Sequence, residues 1–107
     1  MKKIYLKTLF LFLFSLIGIN AFAYNCEVDG IYYDLNKEDN TASVISKPDG
    51  GYYRGMVDIP SSITYEENIY SVTTICDKAF YKCRGLISVT IPNSIISIGN
   101  SAFRNCI

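Results

Sequence analysis

Four cysteines, Cys26, Cys76, Cys83 and Cys106, are the residues of this chain best equipped for chemistry. A thiolate is both a nucleophile and a metal ligand. In an exported chain, four cysteines point to disulfides, with three connectivities open. The sequence contains no histidine, so the commonest general base and the commonest metal ligand are both missing. Cys83 therefore has no imidazole to activate it, and no Cys-x-x-Cys pair offers the start of a zinc site. Glu66 and Glu67 are adjacent, and neighbouring residues of a strand face opposite ways, so they read as a solvated turn and not as a catalytic carboxylate pair. Gly50-Gly51 lacks the strand-to-helix setting of a phosphate loop. Asp77-Lys78 and Lys82 with Arg84 read as ordinary surface charges. These residues predict no catalysis, no metal and no cofactor.

The elements that hold these residues begin with an address. Lys2, Lys3 and Lys7 precede the apolar run Leu9-Phe10-Leu11-Phe12-Leu13-Phe14-Ser15-Leu16-Ile17, and Ala21-Phe22-Ala23 closes the segment. A basic start, a short apolar stretch and an A-x-A end define a secretory signal, with cleavage expected after Ala23. Gly18 and Asn20 interrupt the run before it reaches the ~20 residues a membrane span needs. Of the 107 residues, 84 then remain, carrying 7 basic and 10 acidic side chains once the three lysines of the leader are subtracted from 10. A chain of that size makes one small domain. Its net charge of −3 gives no electrostatic footprint for nucleic acid.

The C-terminal half of the chain repeats itself. The run 71–83 precedes the run 94–106 by 23 residues, with identities at Ser71/Ser94, Ile75/Ile98, Ala79/Ala102, Phe80/Phe103 and Cys83/Cys106. Residues 56–63 echo 88–95 at a spacing of 32, which is the same period plus nine. The surplus lies around 64–70, where Glu66-Glu67-Asn68 reads as the polar tip of a small hairpin between 63–65 and 69–72. A 23-residue period is the length of a solenoid coil. Leu86, Val89 and Ile91 face inward, Ser88 and Thr90 outward. Pro92 ends the strand by withholding a backbone donor. Ile95 and Ile98 turn inward again, and Phe80 and Phe103 stack in successive coils. A single coil is too thin to bury its apolar side; stacking makes the core. Cys83 and Cys106, at the same place in successive coils about 4.8 Å apart, point the same way, which suits buried apolar residues better than a disulfide.

The pattern Leu86-x-x-Val89-x-Ile91-Pro92-x-Ser94-Ile95-x-x-Ile98-Gly99-x-x-Ala102-Phe103-x-x-Cys106 resembles the BspA-like leucine-rich repeats of bacterial secreted and surface proteins. Pro92 after the strand and Ser94 where an Asn ladder often runs mark this subfamily. Cys76 at the place of Gly99 makes the earlier coil a degenerate copy. The resemblance implies a mainly β fold, an N-terminal β-hairpin cap followed by the start of a leucine-rich-repeat solenoid. Residues 1–23 form the signal, 24–54 a β-rich cap, and 55–107 about two repeats, the first with the inserted hairpin. Within the cap, 31–35 and 41–46 read as strands, and Lys47-Pro48-Asp49-Gly50-Gly51 as a turn. The repeat pattern stops where another strand would begin, and about three repeats are needed for stability, so a truncated chain is expected.

The resemblance further implies a non-enzymatic protein, secreted or at the cell surface, that adheres to a protein or other macromolecule there, with no nucleic-acid partner and no membrane span in the mature chain. Met56, Asp58, Ser88 and Thr90 are the outward positions of its strands. Tyr65 and Tyr70, flanking the hairpin tip, are further candidates for contact, since tyrosine suits interfaces. In the pairs Tyr32-Tyr33 and Tyr52-Tyr53, one ring of each faces in and one out. A specific interface covers about 800 Å² per partner, more than two coils offer. The alternative is a spacer or capping module of a larger surface protein, with no ligand of its own.

Overall fold

The computed structural model describes residues 25–107; the expected leader and its expected cleavage point lie outside the described residues. Eight strands and no helix occur in them: β1 (Asn25–Val28), β2 (Ile31–Asn36), β3 (Thr41–Ile45), β4 (Gly55–Asp58), β5 (Ser62–Tyr65), β6 (Asn68–Ile75), β7 (Leu86–Thr90) and β8 (Ser97–Ile98). The mainly β architecture is thus as the pattern predicts.

β1, β2 and β3 form an antiparallel meander. The first turn, Asp29-Gly30, has positive φ at both residues, the geometry that two-residue hairpins favour. β1 goes beyond the sequence reading, which placed the first strand at residue 31. From β3 onward the pairing changes character: β3 pairs β6 in parallel, β6 pairs β8 in parallel, and β4 pairs β7 in parallel in a separate two-stranded sheet. Parallel pairing of one turn of the chain with the next is what stacking of coils produces.

Each coil runs along the β4–β7 wall, bends after Pro60 or Pro92, follows the β6–β8 wall and returns through a series of turns. Lys78 and Lys82 in one coil, and Ser101 and Asn105 in the next, share positive φ values of 57–59°. The return path thus repeats its backbone as well as its side chains. Along it the amides of Lys78, Phe80 and Lys82 donate to the carbonyls of Asn100, Ala102 and Arg104 at 2.8–3.0 Å.

The inward residues follow a rule that simple alternation does not give. β6 carries one extra residue, Thr73, against β3, and β7 carries one, Ile87, against β4. Such a bulge rephases the strand, so Val72 and Ile75, three apart, are both fully buried, and Leu86 and Val89 both pack on the core. The Leu-x-x-Val spacing is the sequence trace of that bulge.

One apolar core unites the meander and the coils. Phe80 lies at its centre, its ring 4.9 Å from Tyr53 and stacked on Phe103 at 5.1 Å with the planes 3° apart. Tyr53 ties the meander to the coils: its hydroxyl donates to the Ile45 carbonyl (2.7 Å) and accepts from the Tyr32 amide (3.0 Å). Tyr33 and Tyr53 are the inward members of their pairs. Equivalent positions differ between coils. Ile59 and Ile75 are buried, whereas Ile91 and Ile98 are 41% and 51% exposed.

Gly99 is dictated by space. A Cβ there would collide with the backbone nitrogen and the carboxylate of Asp77 and lie 2.8 Å from the Asp77 Cα. That close approach lets the Gly99 amide reach the Ile75 carbonyl and the Asn100 amide reach Asp77 Oδ1, both at 2.7 Å. Asp77 is therefore a link between coils, a correction to its reading as an ordinary surface charge.

Candidate functional site

The parallel pairing of β4 with β7 places Met56 beside Ser88 and Asp58 beside Thr90. All four side chains are exposed on the outer face of that sheet, and the inward partners Val57 and Val89 anchor it to the core. Ile87 joins them: as the bulged residue of β7 it is 77% exposed, the same as Met56. Sequence reasoning missed Ile87 because alternation alone cannot show which residue of a strand is supernumerary.

The hairpin candidates behave differently. β5 and β6 pair as Ile63 with Tyr70 and Thr64 with Ile69. The first pair faces the core and the second faces water, so Tyr70 is 2% exposed and Ile69 is 67% exposed. Tyr70 is thus no contact residue; its ring fills the space under the hairpin. Tyr65 is half-buried against the core. The tip is tighter than the sequence reading, since Glu66 and Glu67 alone make the turn, both at positive φ, and Asn68 already pairs with Tyr65 in the ladder.

All four cysteines are free thiols. Burial raises the thiol pKa of Cys26, Cys76 and Cys83, and for Cys26 nearby carboxylates add to the effect. A raised pKa leaves less of the nucleophilic thiolate. Cys83 is buried, and Cys106 donates from its sulfur to the Phe80 carbonyl at 3.0 Å. Cys26 packs on the core side of β1, whereas Cys76 is half-exposed beside Ser43 and Asp34. Among the described residues no three potential metal ligands converge, and no helix is long and apolar enough to cross a membrane.

The family model for the BspA type leucine rich repeat region (6 copies) matches residues 57–107. Three solved structures are similar at a TM-score of 0.64. They are a leucine-rich repeat protein from Bacteroides capillosus (32% identity over 77% of this chain), one from Bacteroides ovatus (32% over 78%), and a leucine rich cell surface protein from Faecalibacterium prausnitzii (31% over 78%). The chain spans 59% of the first of these proteins and 21% of each of the other two. No curated protein matches it.

Proposed function

Through residues 57–107 the chain belongs to the BspA-type leucine-rich repeat family, and we propose that it is an exported, non-enzymatic binding module that adheres to a macromolecule at the cell surface. The observation that carries this reading is the outer face of β4–β7, where Met56 and Ile87 stand apolar and exposed among Asp58, Ser88 and Thr90. Large apolar side chains in water beside polar ones are the composition of a contact surface. Leucine-rich repeats usually bind proteins, and family members are typically extracellular, in keeping with the leader at residues 1–23. In this reading residues 24–54 close one end of the stack and residues 55–107 present the face.

The test is adhesion of particles coated with the secreted chain to cell monolayers. D58R/T90R places two cations on the face while leaving Val57 and Val89 in the core. Loss of adhesion with an unchanged melt supports the proposal. Wild-type particles that adhere no better than uncoated ones would favour the spacer reading. N-terminal sequencing of the secreted form checks export, expecting Tyr24 as the first residue.

A further inference from the structure

Away from the outer face of β4–β7, at the edge where both strands begin, a hollow of about 320 Å³ is lined by Tyr52, Arg54, Lys82, Arg84 and Gly85. Strand pairing assembles it. The Gly55 amide donates to the Gly85 carbonyl at 2.9 Å, which sets Arg54 of one coil beside Arg84 and Gly85 of the next. Gly85 leaves room for this: a Cβ there would meet the Cγ of Arg54 at 3.4 Å, so the arginine stem lies across the glycine. Lys82 enters from the return path, held at a positive φ of 59° at the apex of its turn, with its ammonium 5.4 Å from the Tyr81 ring centre.

Three of the seven basic residues of 24–107 thus line one hollow, in a segment whose net charge is −3. No carboxylate lines it, and among the described residues none of the three cations has an acidic partner within salt-bridge distance. The fourth wall is Tyr52, whose ring is 47% exposed. Like-charged groups held together without counter-charges attract an anion. Two guanidinium forks read planar or tetrahedral oxyanions with paired hydrogen bonds. The exposed aromatic face adds a flat apolar platform beside them. The volume is at the lower end of the ~300–1,000 Å³ of ligand sites.

We propose that this hollow binds an anionic sugar unit of a sulfated glycan, the sulfate held by Arg54, Arg84 and Lys82 and the ring lying on Tyr52. Three cations are too few to track a nucleic-acid backbone, and the acidic remainder of the domain confines contact with any polyanion to about one charged unit. One charged group next to one flat apolar ring face is what the geometry accommodates. The site stands on its own residues and does not depend on the role of the β4–β7 face.

The experiment is calorimetric titration of the full chain with a short heparin oligosaccharide at low salt. The expected result is saturable binding that weakens as salt rises, falls about tenfold or more in R54A/R84A, and falls severalfold in Y52A. K37A removes one charge at the opposite end of β3 and leaves the affinity unchanged. R54K/R84K keeps the charge without the forks and lies between wild type and the alanine pair. All these side chains are exposed, so each variant keeps the wild-type urea midpoint. Absence of binding, an unchanged affinity in R54A/R84A, or equal binding of the desulfated oligosaccharide would overturn the proposal. Equal affinity for polyglutamate, or no effect of Y52A, would make the hollow a general anion site and overturn the glycan assignment.

Discussion

Replacing Gly99 by alanine tests how closely one coil rests on the next. The new methyl has no free volume, because the atoms it meets include the backbone nitrogen and Cα of Asp77, which cannot rotate away as a side chain can. The coils must part locally, and the two hydrogen bonds at 2.7 Å, Gly99 to Ile75 and Asn100 to Asp77, lengthen or break. Overpacking costs about 1–3 kcal/mol and each lost hydrogen bond about 1 kcal/mol. The stiffer unfolded chain returns about 0.4–1 kcal/mol. The expected net loss is about 2–4 kcal/mol, a large part of the stability of a small domain. In urea, with a slope of about 1–2 kcal/mol/M, the midpoint falls by about 1–4 M. G51A is the control, since its methyl meets only the exposed Asp49 side chain and the flexible Lys47 stem, none closer than 3.1 Å. The double variant D77A/G99A sharpens the test: the carboxylate is gone but the obstructing backbone remains, so stability stays low. A melt of G99A within about 0.5 kcal/mol of wild type, or a rescue by D77A, would refute the steric account.

Two further predictions concern the buried phenols. Tyr33 is fully buried and its hydroxyl has no hydrogen-bond partner, so Y33F should leave stability unchanged or raise it by up to about 1–2 kcal/mol. Y53F orphans the Tyr32 amide and the Ile45 carbonyl and should cost about 1–3 kcal/mol; parallel urea melts compare them. Alkaline titration is the second. Burial pushes Tyr53 up to about 12 and raises Tyr33 further, against an ordinary value of about 10. Above pH 10 the unfolded chain releases these protons while the folded chain keeps them, so stability is intact below pH 10 and falls as pH rises, by up to ~1.4 kcal/mol per unit for each tyrosine. The raised thiols act in the same direction from about pH 9. Midpoints measured at pH 7, 9 and 11 should fall mainly in the last interval.

The coil was legible in the sequence because stacking forces equivalent positions to hold equivalent residues. Ala79/Ala102, Phe80/Phe103 and Cys83/Cys106 are identical since each pair shares one column of the core, and the Phe80–Phe103 stack follows. Short-range chemistry was the harder part. The pattern of 62–65 and 68–71 alternates with either phase, and a tyrosine looks better suited than an isoleucine to the wet side. The inward phase was chosen by contact with β3 and the core, which buried Tyr70 and left Ile69 in water. β1 is only four residues long, too short for periodicity to be read, although Asp29-Gly30 marks the hairpin that carries it. The basic hollow was illegible for another reason. Arg54 and Arg84 are thirty positions apart, and the 32-residue echo starts only at Met56 and Ser88, so it stops short of both and of the bulge that sets Gly55 against Leu86. Lys82 and Arg84 taken alone were unremarkable surface charges.

The hairpin of β5 and β6 lets a rigid stack vary in length. Val57 and Val89 lie in register across β4 and β7, and Ile75 and Ile98 across β6 and β8, although 32 residues separate the first pair and 23 the second. The nine surplus residues leave the coil at Ser62 and re-enter it at Ser71, which are themselves a ladder pair, so the rest of the coil is unaware of what lies between them. Length change in the strands proper is forbidden by the bulges, since a shift of either one or two residues would turn an inward side chain out. Variation is thereby channelled to one corner of the coil. An inserted segment of any length whose ends can meet at that ladder pair would be carried by the same core, making the corner the natural graft point for a new recognition element.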